Sequence, residues 1–327
     1  MEVVTGAAGY IGNVLIRELL WRGKDVRALV RRTSDVSSLE GLKIEKVIGD
    51  IGDLDSLANT FRGADIVYHL AGIISIMPGD RALIHRVNLE GTRNVITACL
   101  RCGVKRLVYT SSIHALKEPP TGTVINEDMP FDPNCNRGEY DRSKALASLE
   151  VIETAKDGLD SVVVCPTGVV GPYDFRGSLI TRTFIDFAQG KMKIITDGAY
   201  DFVDVRDAAI GHILAAEKGK TGQYYILSGE RVTMNEMMSM LNEVSGIQPP
   251  KYKVPTWLVK TAGIFTPVYY KLSNKTPRFT YYSINTLLSN SYISHEKASR
   301  ELGYKPMTIK KSIEDTFKWL KENKMFQ

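Results

Sequence analysis

A tyrosine and a lysine four residues apart, Tyr140 and Lys144, are the residues best suited to chemistry in this chain. They lie in the run Glu-Tyr-Asp-Arg-Ser-Lys, which is predicted to be helical, so the spacing puts both side chains on one helix face. A nearby ammonium favours the phenolate and lowers a phenol pKa that is about 10 when unperturbed. The pair therefore predicts a tyrosine tuned to exchange a proton.

A glycine-rich segment opens the same chain, between a strand-like run and a helix-like run. Its glycines have the spacing G-x-x-G-x-x-G. Glycine allows a sharp turn and lets a pyrophosphate approach free backbone amides at a helix N-terminus. We expect this loop to bind a dinucleotide through Gly6, Ala8, Gly9, Tyr10, Ile11 and Gly12.

Alternating strand-like and helix-like segments must position these residues. The strand-like runs are Glu2–Thr5, Asp25–Val30, Ile44–Ile48, Ile66–Leu70, Arg106–Thr110 and Ser161–Cys165, with helical patterns at 10–25, 53–62, 80–102 and 140–157. This alternation predicts an α/β Rossmann fold, a doubly wound parallel sheet with helices on both faces. Ligands of such sheets lie beyond the carboxyl ends of the strands, where both motifs fall.

After residue 172 the alternation ends, which predicts a smaller, mostly helical C-terminal lobe for the substrate. We assign residues 1–172 to a dinucleotide-binding domain, with 201–228 returning to it, and 173–200 and 229–327 to the lobe. Helical patterns in this part lie at 177–190, 206–218, 233–246, 255–264, 277–288 and 310–321.

The composition predicts a packed globular enzyme rather than a disordered, fibrous or membrane-spanning chain. Of the 327 residues 43% are hydrophobic, and no apolar stretch reaches the ~20 residues that a membrane helix needs. Four cysteines are too few for a disulfide scaffold, and no basic and apolar leader precedes the first strand, so we expect a cytoplasmic protein. Residues 251–327 hold 14 Lys and Arg against 5 Asp and Glu, and aromatic residues such as Tyr252, Trp257 and Tyr282 are interleaved with them. This pattern could indicate nucleic acid, an anionic membrane surface or an apolar substrate wall, but we favour a solvated lysine face over a small aromatic core. Neither a nucleic-acid module nor a metal-ligand spacing is recognisable.

The residues after the second predicted strand bear on the choice of dinucleotide. A carboxylate there would hydrogen-bond the free 2′-hydroxyl of NAD, whereas an arginine would pair with the 2′-phosphate of NADP. This chain has Arg31 and Arg32 and no carboxylate beside them. We therefore expect NADP(H) to be preferred over NAD(H), with Arg31 as the main contact. Asp50 and Ile51, after the third strand, are expected to meet the adenine ring.

Five short segments carry a family resemblance, namely Thr5–Gly12, His69–Gly72, Val87–Thr92, Tyr109–Ser112 and the pair Tyr140 and Lys144. Together they resemble the extended short-chain dehydrogenase/reductase family, within the NAD-dependent epimerase/dehydratase superfamily. The resemblance covers nearly the whole chain and includes its C-terminal end. It implies a Rossmann fold, a nicotinamide cofactor and an oxidoreductase activity.

The resemblance also implies site residues. In a catalytic set of Ser112, Tyr140 and Lys144, the tyrosine exchanges a proton with a substrate oxygen, the serine hydrogen-bonds that oxygen and the lysine holds the nicotinamide ribose. Asn88 resembles the family's asparagine that distorts a helix or holds a water, and is grouped with them. Further cofactor contacts are expected from Leu70, Ala71, Gly72, Thr110, Pro166 and Val169. Two residues are expected to line the substrate pocket, His114 and Ser178.

The segment after the sixth predicted strand favours one branch of the family. Sugar-nucleotide enzymes commonly have Arg-Pro-x-Asn there, whereas this chain has Cys165 and Gly168 in place of the arginine and asparagine. The run Pro166 to Pro172 resembles instead the dihydroflavonol reductase branch. We therefore expect an NADPH-dependent reductase of an aldehyde or ketone, with hydride from the nicotinamide and a proton from Tyr140.

Two alternatives stay open. The run Asp201–Asp207 resembles a segment shared by epimerases and reductases, so a nucleotide-sugar epimerase or dehydratase with tightly bound NAD is the second hypothesis. A non-catalytic nucleotide-sensing protein is the third, against which the intact catalytic set argues. Substrate identity is expected to depend on residues 73–82, 114–138 and 173–200. The oligomeric state stays open; the helices at 80–102 and 140–157 are those that pair in homodimers of the family that the chain resembles.

Overall fold

A computed structural model of the chain describes residues 1–74, 80–263 and 281–326. The strands in this part are β1 Glu2–Thr5, β2 Val26–Val30, β3 Glu45–Ile48, β4 Ile66–His69, β5 Arg106–Thr110, β6 Ser161–Pro166, β7 Gly168–Val170, β8 Ile194–Ile195, β9 Ala199–Asp204, β10 Tyr224–Leu227, β11 Glu230–Thr233 and β12 Tyr252–Lys253.

The helices of the same part are α1 Tyr10–Trp21, α2 Leu54–Phe61, α3 Arg81–Ile84, α4 Gly91–Cys102, α5 Glu139–Glu153, α6 Leu179–Ala188, α7 Val205–Lys218, α8 Met234–Ser245, α9 at 256–263, α10 Tyr281–Leu288, α11 Glu296–Leu302 and α12 Ile309–Glu322. A π-helical turn, His85–Glu90, joins α3 to α4. The predicted helix at 277–288 lies partly outside the described residues, as does part of the predicted substrate segment 73–82.

Seven parallel strands form the main sheet, in the order β10-β6-β5-β4-β1-β2-β3. Each of the six predicted strands is present, and the order reverses between β1 and β4, where β1 lies beside both β2 and β4. This arrangement confirms the predicted Rossmann fold. The carboxyl ends of β1, β4, β5 and β6 meet at one edge, which is where the predicted site residues lie.

Helices cover both faces of this sheet because both faces of every central strand are apolar. Val3 of β1 packs on one side with the helices α2, α4 and α5. Val4, the next residue, packs on the other side with α1 and α7. The strands therefore have the continuous apolar runs of a fully buried sheet rather than an apolar and polar alternation.

A third, smaller apolar cluster forms the lobe. It is built by α6, α8 and α12 around Phe184, Met237 and Phe317. Strand β9 pairs with β7 and β11 in a three-stranded sheet beside it, whereas β10 joins the main sheet next to β6. The predicted lobe, 229–327, includes α11, but Ala298 and Leu302 of this helix pack in the cluster under α1 and α7.

Among the described residues, no helix combines the length and the apolar composition needed to cross a membrane. Within the same residues, no group of His, Cys, Asp and Glu side chains is arranged to hold a metal ion.

Candidate active site

The loop after β1 turns at Gly6, which has a left-handed backbone with φ of +68°. A Cβ atom at Gly6 would lie 2.6 Å from the backbone nitrogen of Ala71, and one at Gly12 would lie 2.3 Å from the carbonyl oxygen of Gly6. Because these neighbours are backbone atoms, they cannot turn aside. Gly9 is the N-cap of α1 and makes no side-chain cap, so the helix presents free backbone amides. The loop fits a bound pyrophosphate.

Tyr10, Ala8 and Ile11, which were predicted to contact the dinucleotide, lie in different surroundings at the start of α1. The hydroxyl of Tyr10 donates to the carbonyl of Gly171 at 2.5 Å, so this side chain ties the glycine loop to the segment after β7. Ala8 is buried in the cluster under α1 and its carbonyl accepts from Ser38. Ile11 is half-buried.

A buried histidine connects the ends of β1 and β4 and the helix α4. His69 shares hydrogen bonds with the hydroxyls of Thr5 at 2.8 Å and Thr92 at 3.1 Å. Burial lowers its pKa to about 3, so the ring is neutral at physiological pH. The hydroxyl of Thr5 also accepts from the backbone amide of Ala71 at 3.2 Å. The segment from Leu70 to Gly72 is therefore held rigidly along the loop.

Asn88 lies in the π-helical turn and binds the same segment. Its side-chain oxygen accepts from the amide of Ile73 at 2.8 Å, and its nitrogen donates to the carbonyl of Ile73 at 3.0 Å and to Ser143 at 3.0 Å. A π turn inserts an extra residue per turn and so aims a side chain that a regular helix could not. Asn88 thereby joins the segment after β4 to the helix that carries Tyr140.

At the end of β5, the hydroxyls of Thr110, Ser111 and Ser112 point in different directions. Thr110 bonds His212 through its hydroxyl at 2.7 Å, and Ser111 bonds Ser148 at 2.6 Å, so both are turned into the protein. Ser112 instead caps the short helical turn that contains His114, and its side chain is hydrogen-bonded with that of Tyr140. Thus Ser112 is the serine that faces the tyrosine.

Lys144 is buried one turn after Tyr140 on α5. Its ammonium donates to the carbonyl of Thr110 at 2.7 Å and to the hydroxyl of Tyr109 at 3.3 Å, and it lies 4.7 Å from the centre of the Tyr109 ring. A Cβ atom added to Gly72 would lie 3.4 Å from this ammonium. Burial lowers the pKa of Lys144 to about 8.

The prediction of a lowered pKa for Tyr140 is wrong for the protein alone. Only 8% of the residue is exposed. Burial raises the pKa of its hydroxyl above the ordinary value, and the hydrogen bond with Ser112 offsets this only in part. The sequence spacing places the ammonium of Lys144 near Tyr140, but it does not show that the phenol loses its contact with water. This loss of water has the larger effect on the pKa of Tyr140.

Three rings, those of His114, Tyr200 and Tyr282, form an aromatic wall beside Tyr140. The hydroxyl of Tyr200 lies 2.5 Å from Nε2 of His114, and the two rings stack at 5.8 Å. Tyr282 from α10 contacts His114 edge-on at 6.4 Å and donates to Asp141 at 2.7 Å. Burial lowers the pKa of His114 and therefore favours its neutral form.

Cavities lie on the lobe side of this wall. A small one of about 20 Å³ is bordered by His114 and Tyr200. A larger one of about 350 Å³ is bordered by Arg231, Asp197 and Tyr292, and the two share Ser289. The larger cavity is not bordered by Tyr140.

The remaining predicted residues lie around the same edge. Arg31 and Arg32 are exposed after β2, and Asp50 is exposed after β3 with its carboxylate accepting from the amide of Gly52 at 2.8 Å. Ile51 is buried and packs on Gly91 at the start of α4. Pro166 is the last residue of β6, and Val169 lies in β7. Ser178 caps α6, where its side chain accepts a hydrogen bond from the backbone amide of Thr181.

The contact of Tyr109 with Lys144 was not predicted. Tyr109 is the residue before Thr110 in β5, so this contact follows once the strand and α5 are placed. Tyr200, from β9, lies within the predicted substrate range 173–200, and Tyr282, from α10, is one of the aromatic residues of 251–327, but no local spacing relates either of them to Tyr140.

A model of the NAD-dependent epimerase/dehydratase family matches residues 3–227, more than two thirds of the chain. The chain belongs to this family. The family match covers the glycine loop, the end of β5 and the Tyr140 and Lys144 pair, and it ends at β10.

The relatives of this epimerase/dehydratase family member include a sterol demethylase protein and reductases. It is 38% identical to the sterol demethylase protein B of Methylococcus capsulatus, over 99% of each chain. It is 32% identical to a putative dihydroflavonol 4-reductase of Synechocystis, over 98% of this chain and 94% of that protein. The crystal structure of gox2253 matches with a TM-score of 0.88 and 31% identity, over 100% of this chain and 99% of that one. The chain is an NAD(P)-dependent enzyme of the extended short-chain dehydrogenase/reductase type.

Proposed function

We propose that the protein is an NADPH-dependent reductase that converts an aldehyde or ketone into an alcohol. The observation that carries the proposal is the buried group of Ser112, Tyr140 and Lys144, gathered beside the glycine loop. The 32% identity to a putative dihydroflavonol 4-reductase supports a reductase. Arg31, exposed after β2 with no carboxylate beside it, supports NADPH over NADH.

NADPH, when bound, would supply a hydride for the carbonyl carbon. Tyr140 donates its hydroxyl proton to the carbonyl oxygen as negative charge develops there, and Ser112 donates a hydrogen bond to the same oxygen. The phenolate that remains on Tyr140 takes a proton from water. The raised pKa of Tyr140 keeps it protonated before the reaction, which is the form that reduction requires.

Other residues of the chain would hold the dinucleotide in place. Lys144 would bind the nicotinamide ribose, because its ammonium is fixed beside Gly72 by the carbonyl of Thr110. Arg31 would pair with the 2′-phosphate. The family itself is described as NAD-dependent, so the preference for NADPH is part of the proposal.

The aromatic wall supports a flat, apolar carbonyl compound as substrate. Tyr200, Tyr282 and His114 offer ring surfaces. The hydroxyl of Tyr200 is engaged with the His114 ring, and that of Tyr282 with Asp141. The relative named sterol demethylase protein B is consistent with a substrate that has a large apolar ring system.

The test is a panel of ring-bearing aldehydes and ketones, with NADPH oxidation followed by absorbance. We expect Tyr140→Phe to lower kcat by about 10²- to 10⁴-fold, as loss of a general acid does. Tyr252→Phe, at an exposed tyrosine of the lobe, is the matched control and should keep full activity. Equal activities of Tyr140→Phe and the native protein would contradict the proposal.

The nucleotide-sugar alternative predicts a different result. An epimerase keeps its cofactor through the cycle, so NAD(H) would be released when the purified protein is denatured, and UDP or GDP would raise its melting temperature. Cys165 and Gly168, which replace the arginine and asparagine of sugar-nucleotide enzymes, lead us to expect neither result.

A further inference from the structure

Exposed aromatic and aliphatic side chains gather on one surface of the lobe, away from the proposed active site. Tyr252 is 71% exposed, Trp257 68%, Ile194 55% and Leu258 46%. The aromatic residues of this region were predicted to form a small core under a lysine face. Tyr252 and Trp257 do not, and Phe265, Tyr269, Tyr270 and Phe279 lie outside the described residues.

The short parallel pair of β8 and β12 explains why two of these side chains face outwards. Tyr252 is paired with Ile194, and Lys253 with Ile195. Paired residues point to the same face of a sheet, and successive residues point to opposite faces. Because Ile195 packs against the lobe core, Ile194 and Tyr252 must point away from it.

Helix α9 continues the surface. Trp257 and Leu258 are exposed in its first turn, and Lys260 is exposed three residues after Trp257, so it shares the face of the tryptophan. Trp257 follows Lys253 by four positions, so their Cα atoms lie at most about 14 Å apart. The exposed side chains of the strand pair and those of the helix are therefore close together, and we treat them as one patch.

Lysines surround this patch. Segments 189–197 and 251–263 contain Lys191, Lys193, Lys251, Lys253 and Lys260 against one carboxylate, Asp197. Lys253 is paired with Ile195 and so lies on the face opposite Tyr252, where it forms a salt bridge with Asp197 at 2.6 Å. The other four lysines form no salt bridge with any residue of the described ranges, and all are exposed.

We propose that this patch, the docking surface formed by Ile194, Tyr252, Trp257 and Leu258 with the surrounding lysines, binds anionic lipid at a membrane surface. Tryptophan and tyrosine are enriched at the level of the headgroups, and lysines beside them are attracted to anionic lipids. Protein interfaces are also rich in aromatic residues, but they are depleted in lysine. Nucleic-acid surfaces are rich in arginine, and these two segments contain none.

Sedimentation with vesicles tests the proposal. We expect the native protein to bind vesicles that contain phosphatidylglycerol, to bind pure phosphatidylcholine far more weakly, and to be released as salt is raised. Trp257→Ala should weaken binding to the anionic vesicles at least tenfold. The triple variant Lys193→Gln, Lys251→Gln, Lys260→Gln, at three of the lysines without a salt bridge, should weaken it roughly fivefold for each lysine.

Matched controls are available elsewhere on the chain. Trp21 is 81% exposed on α1, and Lys318, Lys321 and Lys324 are exposed near the C-terminus. Trp21→Ala and the triple change of those lysines to glutamine should bind as the native protein does. In a Trp21→Phe background, vesicles should shift the emission of Trp257 to shorter wavelength, because Trp319 is buried.

Three results would overturn the proposal. The first is that the protein binds neutral and anionic vesicles equally, or binds neither. The second is that the control variants lose as much vesicle binding as the docking variants. The third is that the protein binds no vesicles but self-associates or retains nucleic acid, and Trp257→Ala abolishes this. The docking variants should keep their melting temperature and their activity on water-soluble carbonyl compounds. The test of lipid binding is therefore independent of the test of the reductase proposal.

Discussion

Tyr140 and Lys144 are each shifted towards their neutral forms, because burial removes water from both side chains. For the tyrosine, this keeps the proton available for transfer. For the lysine, it places the loss of charge near pH 8, within the range in which the enzyme can be assayed.

The charge on Lys144 should therefore limit activity at alkaline pH. The parameter kcat/KM for NADPH reports groups of the free enzyme, so it should fall as the pH rises through about 8, because a neutral lysine binds the ribose less well. The measurement is a pH profile at subsaturating NADPH. A profile that stays flat to the ordinary lysine pKa of 10.5 would be evidence against this role.

The lowered pKa of Lys144 predicts that the folded state becomes more stable at alkaline pH. Below pH 8, Lys144 is charged in both the folded and the unfolded chain. Between pH 8 and 10.5 only the unfolded chain binds the proton, so the folded state gains stability as the pH rises. The free energy of unfolding of the native protein, minus that of Lys144→Met, should rise by about 3 kcal/mol over this range. Urea unfolding at several pH values measures it, and a constant difference would refute it.

Arg31 should determine the choice of dinucleotide. Arg31→Ala removes a charge-assisted contact with the 2′-phosphate, so KM for NADPH should rise about tenfold to a hundredfold while KM for NADH stays the same. Arg32→Ala, at the adjacent exposed residue, should have the smaller effect. If both variants retain the native ratio of the two KM values, the assignment of NADPH is wrong.

At the scale of elements, α10 is attached to the beginning of α5. The hydroxyl of Tyr282 donates to the fully buried carboxylate of Asp141, which also accepts from Arg137 at 3.3 Å. The Tyr282 ring lies against Gly138, where an added Cβ atom would be 3.4 Å away. The lobe therefore sets the position of the turn from which Tyr140 emerges.

Removing the Tyr282 hydroxyl should cost both stability and activity. Tyr282→Phe leaves a buried carboxylate without one of its donors, which costs about 1–3 kcal/mol of unfolding free energy. Because Asp141 is next to Tyr140, kcat should fall as well. Tyr292→Phe, at a tyrosine that is 44% exposed, is the control. A Tyr282→Phe protein as stable as this control would show that the contact is dispensable.

How far the sequence could predict each element depends on how local its signal is. The turn at Gly6 and the spacing of Tyr140 and Lys144 are local patterns, and both were predicted. The roles of Tyr200 and Tyr282 depend on chain segments 60 and 142 residues away from Tyr140, which only the packed lobe brings near. The predicted pKa of Tyr140 had the wrong sign because burial is a property of the whole fold.

At the scale of the molecule, the sheet could be predicted because parallel strands are buried on both faces and have continuous apolar runs. The lobe was predicted only as a helical region. The return of α11 to the main core was missed, because a seven-residue helix with two buried positions, Ala298 and Leu302, has too little periodicity to indicate where it packs.

The position of β10 at the edge of the sheet has a consequence for synthesis on the ribosome. Strand β6 is complete at Pro166, but its outer neighbour is complete only at Leu227, which a ribosome reaches roughly 3 to 12 s later. During that interval the nascent chain exposes an open, apolar strand edge that can pair with other chains. Chaperones that bind nascent polypeptides would protect it at this stage.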